Sequence, residues 1–173
     1  EETGTLKPLR NPNSLGSAWY VEKLISNPNA DALLEQLKTA NFKREALFIQ
    51  EDLPASLPKT FEKDTLASIV LSEISPNLVR YRAQSEKEQF AVFSEMYYPN
   101  GWTAKINGEE TPIYNVNYVL RAVQLPAGEN QIEFSYNPSV VKQGTNLRWL
   151  SALLFLGIVS GMGYLEYRTK KYT

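Results

Sequence analysis

The chain reads as mainly β: an antiparallel β-sandwich with a small α/β lead-in, followed by one C-terminal transmembrane helix. Three observations carry this. Short runs rich in β-branched and aromatic residues recur from Leu66 to Tyr136, with turn signals between them at sandwich spacing. Ahead of them, Ala30 to Thr39 has helical apolar spacing, and after them Trp149 to Leu165 runs 17 residues without a charge or a proline.

Residues 1–13 carry two prolines and no apolar periodicity, and read as a linker from an upstream membrane region. Position 1 is Glu rather than Met and no basic stretch precedes an apolar run, so the chain is expected to be a fragment or a processed product. Residues 14–60 form the lead-in. Leu15 to Ile25 reads as a strand, with Trp19 and Val21 on one face. Ser26-Asn27-Pro28-Asn29 is capping chemistry, because an Asn side chain can accept the free amide protons of a first helical turn. The helix that follows carries Leu33, Leu34 and Leu37 as its apolar stripe. Asp31 and Glu35 lie one turn apart on it and read as a solvated face rather than an acid pair. Ala46 to Gln50 is a further strand.

Residues 61–146 are the extracytoplasmic sandwich, of roughly seven to nine strands. Its runs are Leu66–Ile74, Leu78–Gln84, Gln89–Met96, Trp102–Ile106, Thr111–Tyr114, Val119–Gln124 and Gln131–Tyr136. Asn107-Gly108 is the sharpest turn signal, since both residues tolerate the positive φ of a two-residue hairpin. Residues 137–146 read as a polar lead into the membrane.

The transmembrane helix is placed at residues 147–166. A span needs roughly 17–25 mostly apolar residues, so this one is at the short end. Trp149 at one end and Tyr164 and Tyr167 at the other stand where aromatic rings favour the two interfaces. Gly157 and Gly161 form a GxxxG pair, a spacing that lets a second helix approach closely, here the upstream transmembrane helices of the same protein. Residues 167–173 are a basic tail with Arg168, Lys170 and Lys171, which places the C-terminus in the cytoplasm by the positive-inside bias and the globular part outside. The lipid bilayer is thus the first expected partner.

Divided at Asn146, the chain has 14 basic and 18 acidic residues before the cut and 4 and 1 after it. A mildly acidic body without a Lys/Arg stripe argues against nucleic acid. The absence of Cys and His removes thiolate nucleophiles, imidazole bases and most transition-metal sites, so no catalytic residue, metal or cofactor is assigned. Glu109 and Glu110, next to each other in a strand, face opposite ways. Glu73, Glu95 and Glu133 are taken as solvent-facing. The run YYPNGW from Tyr97 to Trp102 is either a sugar-stacking platform or a strand-to-strand corner with Trp102 and one tyrosine packed beneath.

The segment EMYYPNGWTAKINGEETPIYNVNYVLRAVQLPAGENQIEFSYNP, from Glu95 to Pro138, resembles the C-terminal region of the bacterial YfhO family of membrane proteins. The resemblance rests on an ordered set: Tyr98, Pro99, Gly101 and Trp102; Asn107-Gly108; Asn117, Tyr118, Arg121 and Ala122; Pro126 and Gly128; Tyr136 and Pro138. NSLGSAWYVEKL, from Asn13 to Leu24, is also similar to the family's approach to this domain, and Asn100 is an addition that lengthens the turn. The resemblance implies a polytopic protein like the C-type membrane glycosyltransferases, which decorate cell-envelope polymers from lipid-linked sugars. Their catalytic acids lie on loops of the N-terminal membrane region, so this part alone is expected to be inactive. The carbohydrate-binding residues would be Trp102, Tyr98 and Tyr118, with rings on sugar faces, and Arg121, paired with hydroxyls or an anionic envelope glycan. The alternative is a non-catalytic, membrane-anchored sandwich docking a partner protein in the cell envelope. A stand-alone hydrolase is the weakest reading, for want of a carboxylate pair.

Overall fold

A computed structural model describes the backbone of residues 11–171 and, along the last helix, the side chains of residues 144, 147–163 and 170. The expected linker falls mostly outside the described residues, as do the side chains of Tyr164, Tyr167, Arg168 and Lys171.

The strands are β1 (Ala18–Val21), β2 (Lys23–Asn27), β3 (Glu45–Ile49), β4 (Ser68–Ser75), β5 (Leu78–Ser85), β6 (Gln89–Met96), β7 (Trp102–Ile106), β8 (Glu109–Thr111), β9 (Tyr114–Val116), β10 (Leu120–Leu125) and β11 (Gly128–Tyr136). The helices are α1 (Ala30–Leu37) and α2 (Ser139–Lys171). Nine strands build two antiparallel sheets, in the orders β1-β6-β10-β9 and β4-β5-β11-β7-β8, as expected of the sandwich. The remaining two, β2 and β3, pair in parallel, with α1 in the connection between them.

Alternation decides which face each side chain joins. On β6, Ala91 and Phe93 point into the core between the sheets, where Tyr81, Val123, Leu125, Ile132 and Phe134 meet them. Phe90 and Val92 point the other way, against Phe48, Leu24, Phe61 and Ala122. The four-stranded sheet is therefore covered on both sides, by the five-stranded sheet and by the α/β unit. This explains why Gln89 to Phe93 are buried without a break.

The strand expected from Leu15 to Ile25 is two strands. Both Glu22 and Lys23 donate their backbone N–H to the Arg44 carbonyl (2.8 and 2.9 Å), which turns the chain from the four-stranded sheet into the parallel pair. α1 starts as expected: the Asn29 side chain accepts from Ala32 N at 2.9 Å. The expected strand Thr111–Tyr114 is also split, because Pro112 and Ile113 carry the chain from β8 in one sheet to β9 in the other. Edge strand β4 is bulged between Leu71 and Glu73, which disrupts the ladder geometry that another strand could extend.

The C-terminal expectation needs correction. The polar lead at 137–146 and the separate helix at 147–166 are one helix of 33 residues, α2, whose turns start at Ser139. Among the described residues, no helix is long and apolar enough to cross a membrane. Glycines at 157, 161 and 163 and serines at 151 and 160 dilute a run that is already short. Nothing lies within 4 Å of where a Cβ would stand on Gly157 or Gly161.

Asn117 joins the α/β unit to the sandwich. Its backbone N–H donates to the Leu47 carbonyl (2.8 Å) and its side-chain oxygen accepts from Leu47 N (2.9 Å), with both residues buried. It does so at φ 51, followed by Tyr118 at φ 73, a pair of left-handed residues that closes β9 onto β10. Asn117→Ala is expected to cost about 2–3 kcal/mol in urea unfolding, since it orphans the Leu47 N–H and strains the turn. Asn117→Gly, which relieves the strain alone, is expected to cost about 1 kcal/mol less.

Asp64 gives an acid-stability prediction. It accepts from Leu66 N (2.9 Å), Glu86 N (2.7 Å) and the Ser85 hydroxyl (2.8 Å), which hold its carboxyl below the usual carboxylate range. A depressed folded-state value stabilises above the unfolded value of about 3.9 and ceases to do so as pH falls through the folded one. Stability is expected to fall below about pH 4. Asp64→Asn should flatten that acid limb in denaturation curves taken across the range.

Candidate functional site

Segments far apart in sequence converge at the end of the sandwich from which α2 departs. Gly101 ends the Pro99-Asn100-Gly101 turn at φ 104, and a Cβ there would stand 2.9 Å from both the Tyr136 ring and Pro138 Cβ. Asn137 N donates to the Gly101 carbonyl at 2.7 Å, so the turn is pinned to the end of β11. The Trp102 and Tyr136 rings consequently pack with centroids 5.2 Å apart.

Beneath them lies Arg121, only 3% exposed. Its guanidinium carbon stands 4.5 Å from the centre of the Trp102 ring and 4.3 Å from that of Phe134, close enough for cation–π attraction to both. Nε donates to one oxygen of Glu95 at 2.8 Å, and Nη2 pairs with the same oxygen. The other oxygen accepts from the Tyr81 hydroxyl at 2.6 Å. Burial lowers the Arg121 pKa, against the opposing pull of Glu95. Burial and the Glu95 carboxylate raise that of Tyr81, which stays a hydroxyl donor. Arg121 Nη1 has no hydrogen-bond partner among the described residues.

The four expected sugar-binding residues are therefore only partly brought together. Trp102 and Tyr98 share a cleft of about 230 Å³, with Pro99, Thr103, Glu110 and Thr111. Tyr118 is exposed on its hairpin turn and does not line that cleft. Arg121 is inside, its charge committed to Glu95, so it supports Trp102 and does not face solvent. The YYPNGW run is both a corner and a cleft wall: Trp102 packs inward while Tyr98 stays about half exposed.

Glu95 corrects a further expectation, being turned inward rather than towards solvent. A strand-interior Glu followed 26 residues later by Arg gives no sign of pairing, because the register of β6 against β10 makes them neighbours. Glu73 and Glu133 instead share Arg80 on the outer face of β5, at 2.6 and 2.8 Å. Among the described residues no cluster of acidic side chains is placed to hold a metal ion.

A family model described as the bacterial membrane protein YfhO matches residues 45–147, more than half of the chain. The match runs from β3 to the first turns of α2 and contains every residue of the cleft and of the Arg121 network. No curated protein and no solved structure matches the chain.

Breaking the buried pair from one side strands the other charge. Arg121→Met is expected to destabilise by about 3–5 kcal/mol in urea unfolding, and the double variant Arg121→Met, Glu95→Gln to recover much of that. A single-variant loss below about 1 kcal/mol would show that the network does not hold the corner.

Proposed function

The chain belongs to the YfhO family of bacterial membrane proteins, and from that premise we propose that it is the extracytoplasmic sandwich of a membrane glycosylation protein, anchored through α2. The anchor reading is supported by the surface of α2: Leu150, Leu153, Leu154, Phe155, Ile158, Val159 and Met162 are all exposed, and together they cover more than one face of the helix. Apolar surface of that extent needs a cover, and a bilayer supplies it. An apolar stretch too short to span unaided is accommodated by local thinning or by neighbouring helices, which Gly157 and Gly161 leave room to approach. Trp149 then stands at one interface and the basic tail on the cytoplasmic side.

The glycan reading is carried by one observation: Tyr98 and Trp102 wall a common cleft beside the polar groups of Thr103, Glu110 and Thr111. At about 230 Å³ it is smaller than the ~300–1,000 Å³ of ordinary ligand sites, a size suited to one sugar ring of a polymer. Trp102 offers the ring face, Tyr98 closes the opening, and Arg121 holds Trp102 from behind. No catalytic group is assigned to this domain; it presents an acceptor to a reaction carried out elsewhere in the parent protein. A second reading, protein docking, is favoured by Val70 and Leu71, exposed on edge strand β4.

Calorimetric titration of the full chain in nanodiscs with envelope glycans and teichoic-acid-like polymers tests the choice. Saturable heat that Tyr98→Ala abolishes, with the urea midpoint unchanged, is the expected result. A flat response across the panel from the folded protein would remove the glycan reading in favour of docking.

A further inference from the structure

The two ends of the sandwich differ in charge. At one end, the turns and the strand ends beside them carry Glu62, Lys63 and Asp64; Glu86, Lys87 and Glu88; Glu109; and Glu129, while Glu110 lies further along β8 in the wall of the cleft. The other end is built from residues 11–18, 74–79, 96–104, 111–120 and 134–141, and these five segments contain none of the chain's 37 charged residues. The register shows that four of them meet: Leu78 is opposite Ser135, Tyr136 opposite Trp102, and Leu120 opposite both Met96 and Val116. The fifth lies beside the end of β6, where Ser94 N donates to the Ser17 carbonyl at 2.9 Å. Tyr97 N also donates to the Val119 carbonyl at 2.7 Å, and Tyr136 N to the Asn77 carbonyl at 2.9 Å.

This uncharged end also displays apolar and aromatic side chains to solvent. Ile74 and Met96 are each 70% exposed, and Tyr98, Tyr118 and Val119 are exposed as well. Among them stand Asn, Ser and Pro residues, polar or neutral but without charge. Just beneath, Glu95 and Arg121 neutralise each other. α2 leaves from the same end, directly after Pro138.

We propose that this end of the sandwich is a membrane-docking surface that rests in the headgroup layer of the bilayer around α2, with Ile74, Met96, Tyr118 and Val119 as its contacts. The inference rests on the anchor reading above. Tyrosine and tryptophan favour the interface because one part of the ring system is apolar and another hydrogen-bonds. Asn and Ser can stay hydrated there, whereas a fixed charge pressed towards the acyl chains is costly. The absence of charge from five separate segments is what such a surface requires, and a protein-docking patch needs no such restriction across its polar rim. The ten residues of α2 ahead of Trp149 cover about 15 Å, so they run obliquely through the headgroup layer.

The chain has no cysteine, so single sites can be labelled without background. Ile74→Cys, Met96→Cys and Val119→Cys would carry an environment-sensitive fluorophore, with Glu86→Cys and Glu109→Cys as labels at the charged end. The full chain is reconstituted in phosphatidylethanolamine–phosphatidylglycerol vesicles containing headgroup or acyl-chain nitroxide lipids. Each labelled chain is accepted only if its urea midpoint matches that of the unlabelled protein. Quenching at positions 74, 96 and 119 of at least about threefold over that at 86 and 109 is the expected result. If bromolipid quenches Trp149 but the labels at 74, 96 and 119 respond only to an aqueous quencher, the docking surface is overturned and the anchor stands. Labels shielded from both quenchers would mean a second protein covers this end, which also overturns the proposal. If the chain fails to float with vesicles, the anchor reading falls and the docking surface with it.

Discussion

The requirement that the four-stranded sheet be covered on both faces governs this structure. β6 lies inside that sheet, and its alternating side chains serve two cores at once: Ala91 and Phe93 between the sheets, Phe90 and Val92 beneath the α/β unit. An antiparallel sheet with one wet face would need polar residues at every second position, and β6 has none from Phe90 to Phe93. The α/β unit is thus the third layer of the fold. Phe48, Leu24 and Phe61 supply its apolar contact, and the paired hydrogen bonds between Asn117 and Leu47 fix its position.

The same layering leaves the ends of the strands to differ in character. At the charged end, carboxylates and lysines pair with each other or with backbone amides, as Asp64 does with Leu66 and Glu86. At the other end the charges of Glu95 and Arg121 are held inside. Arg121 lies between two rings and against Glu95, which in turn accepts from Tyr81. A guanidinium held in this way braces Trp102 and Tyr136 while leaving the surface above it uncharged. Gly101 allows the close approach, since any side chain there would collide with Tyr136 and Pro138. The turn, the cleft and the start of α2 are therefore one mechanical unit, and a disturbance of the corner would be felt where the helix leaves the domain.

Much of the fold was legible in the sequence. The boundaries of β6 and β7 match their apolar runs, Asn107-Gly108 turns at positive φ as its residue types require, and Asn29 caps α1. These features depend on local rules: alternation, turn chemistry and the unpaired amides of a first helical turn. The strand expected at 15–25 was less legible, because its break at Glu22 depends on the carbonyl of Arg44, 22 residues away. The extent of α2 was also underestimated, since polar residues from Ser139 onward continue a helix that hydropathy alone starts at Leu147. Of the candidate site, Tyr98 and Trp102 could be named from their types beside a turn, while the burial of Arg121 could not.

What the sequence determined by itself is the class of the protein: strand periodicity, turn residues and an uncharged C-terminal run are read one short window at a time, and each is set by backbone geometry and solvation acting locally. Only the tertiary structure decided which residues share a neighbourhood. Register made Glu95 the partner of Arg121, turned a presumed ligand-binding cation into a buried brace, and gathered five uncharged segments at the end from which α2 departs. Long-range pairing has that power because a shift of one residue exchanges the two faces of a strand.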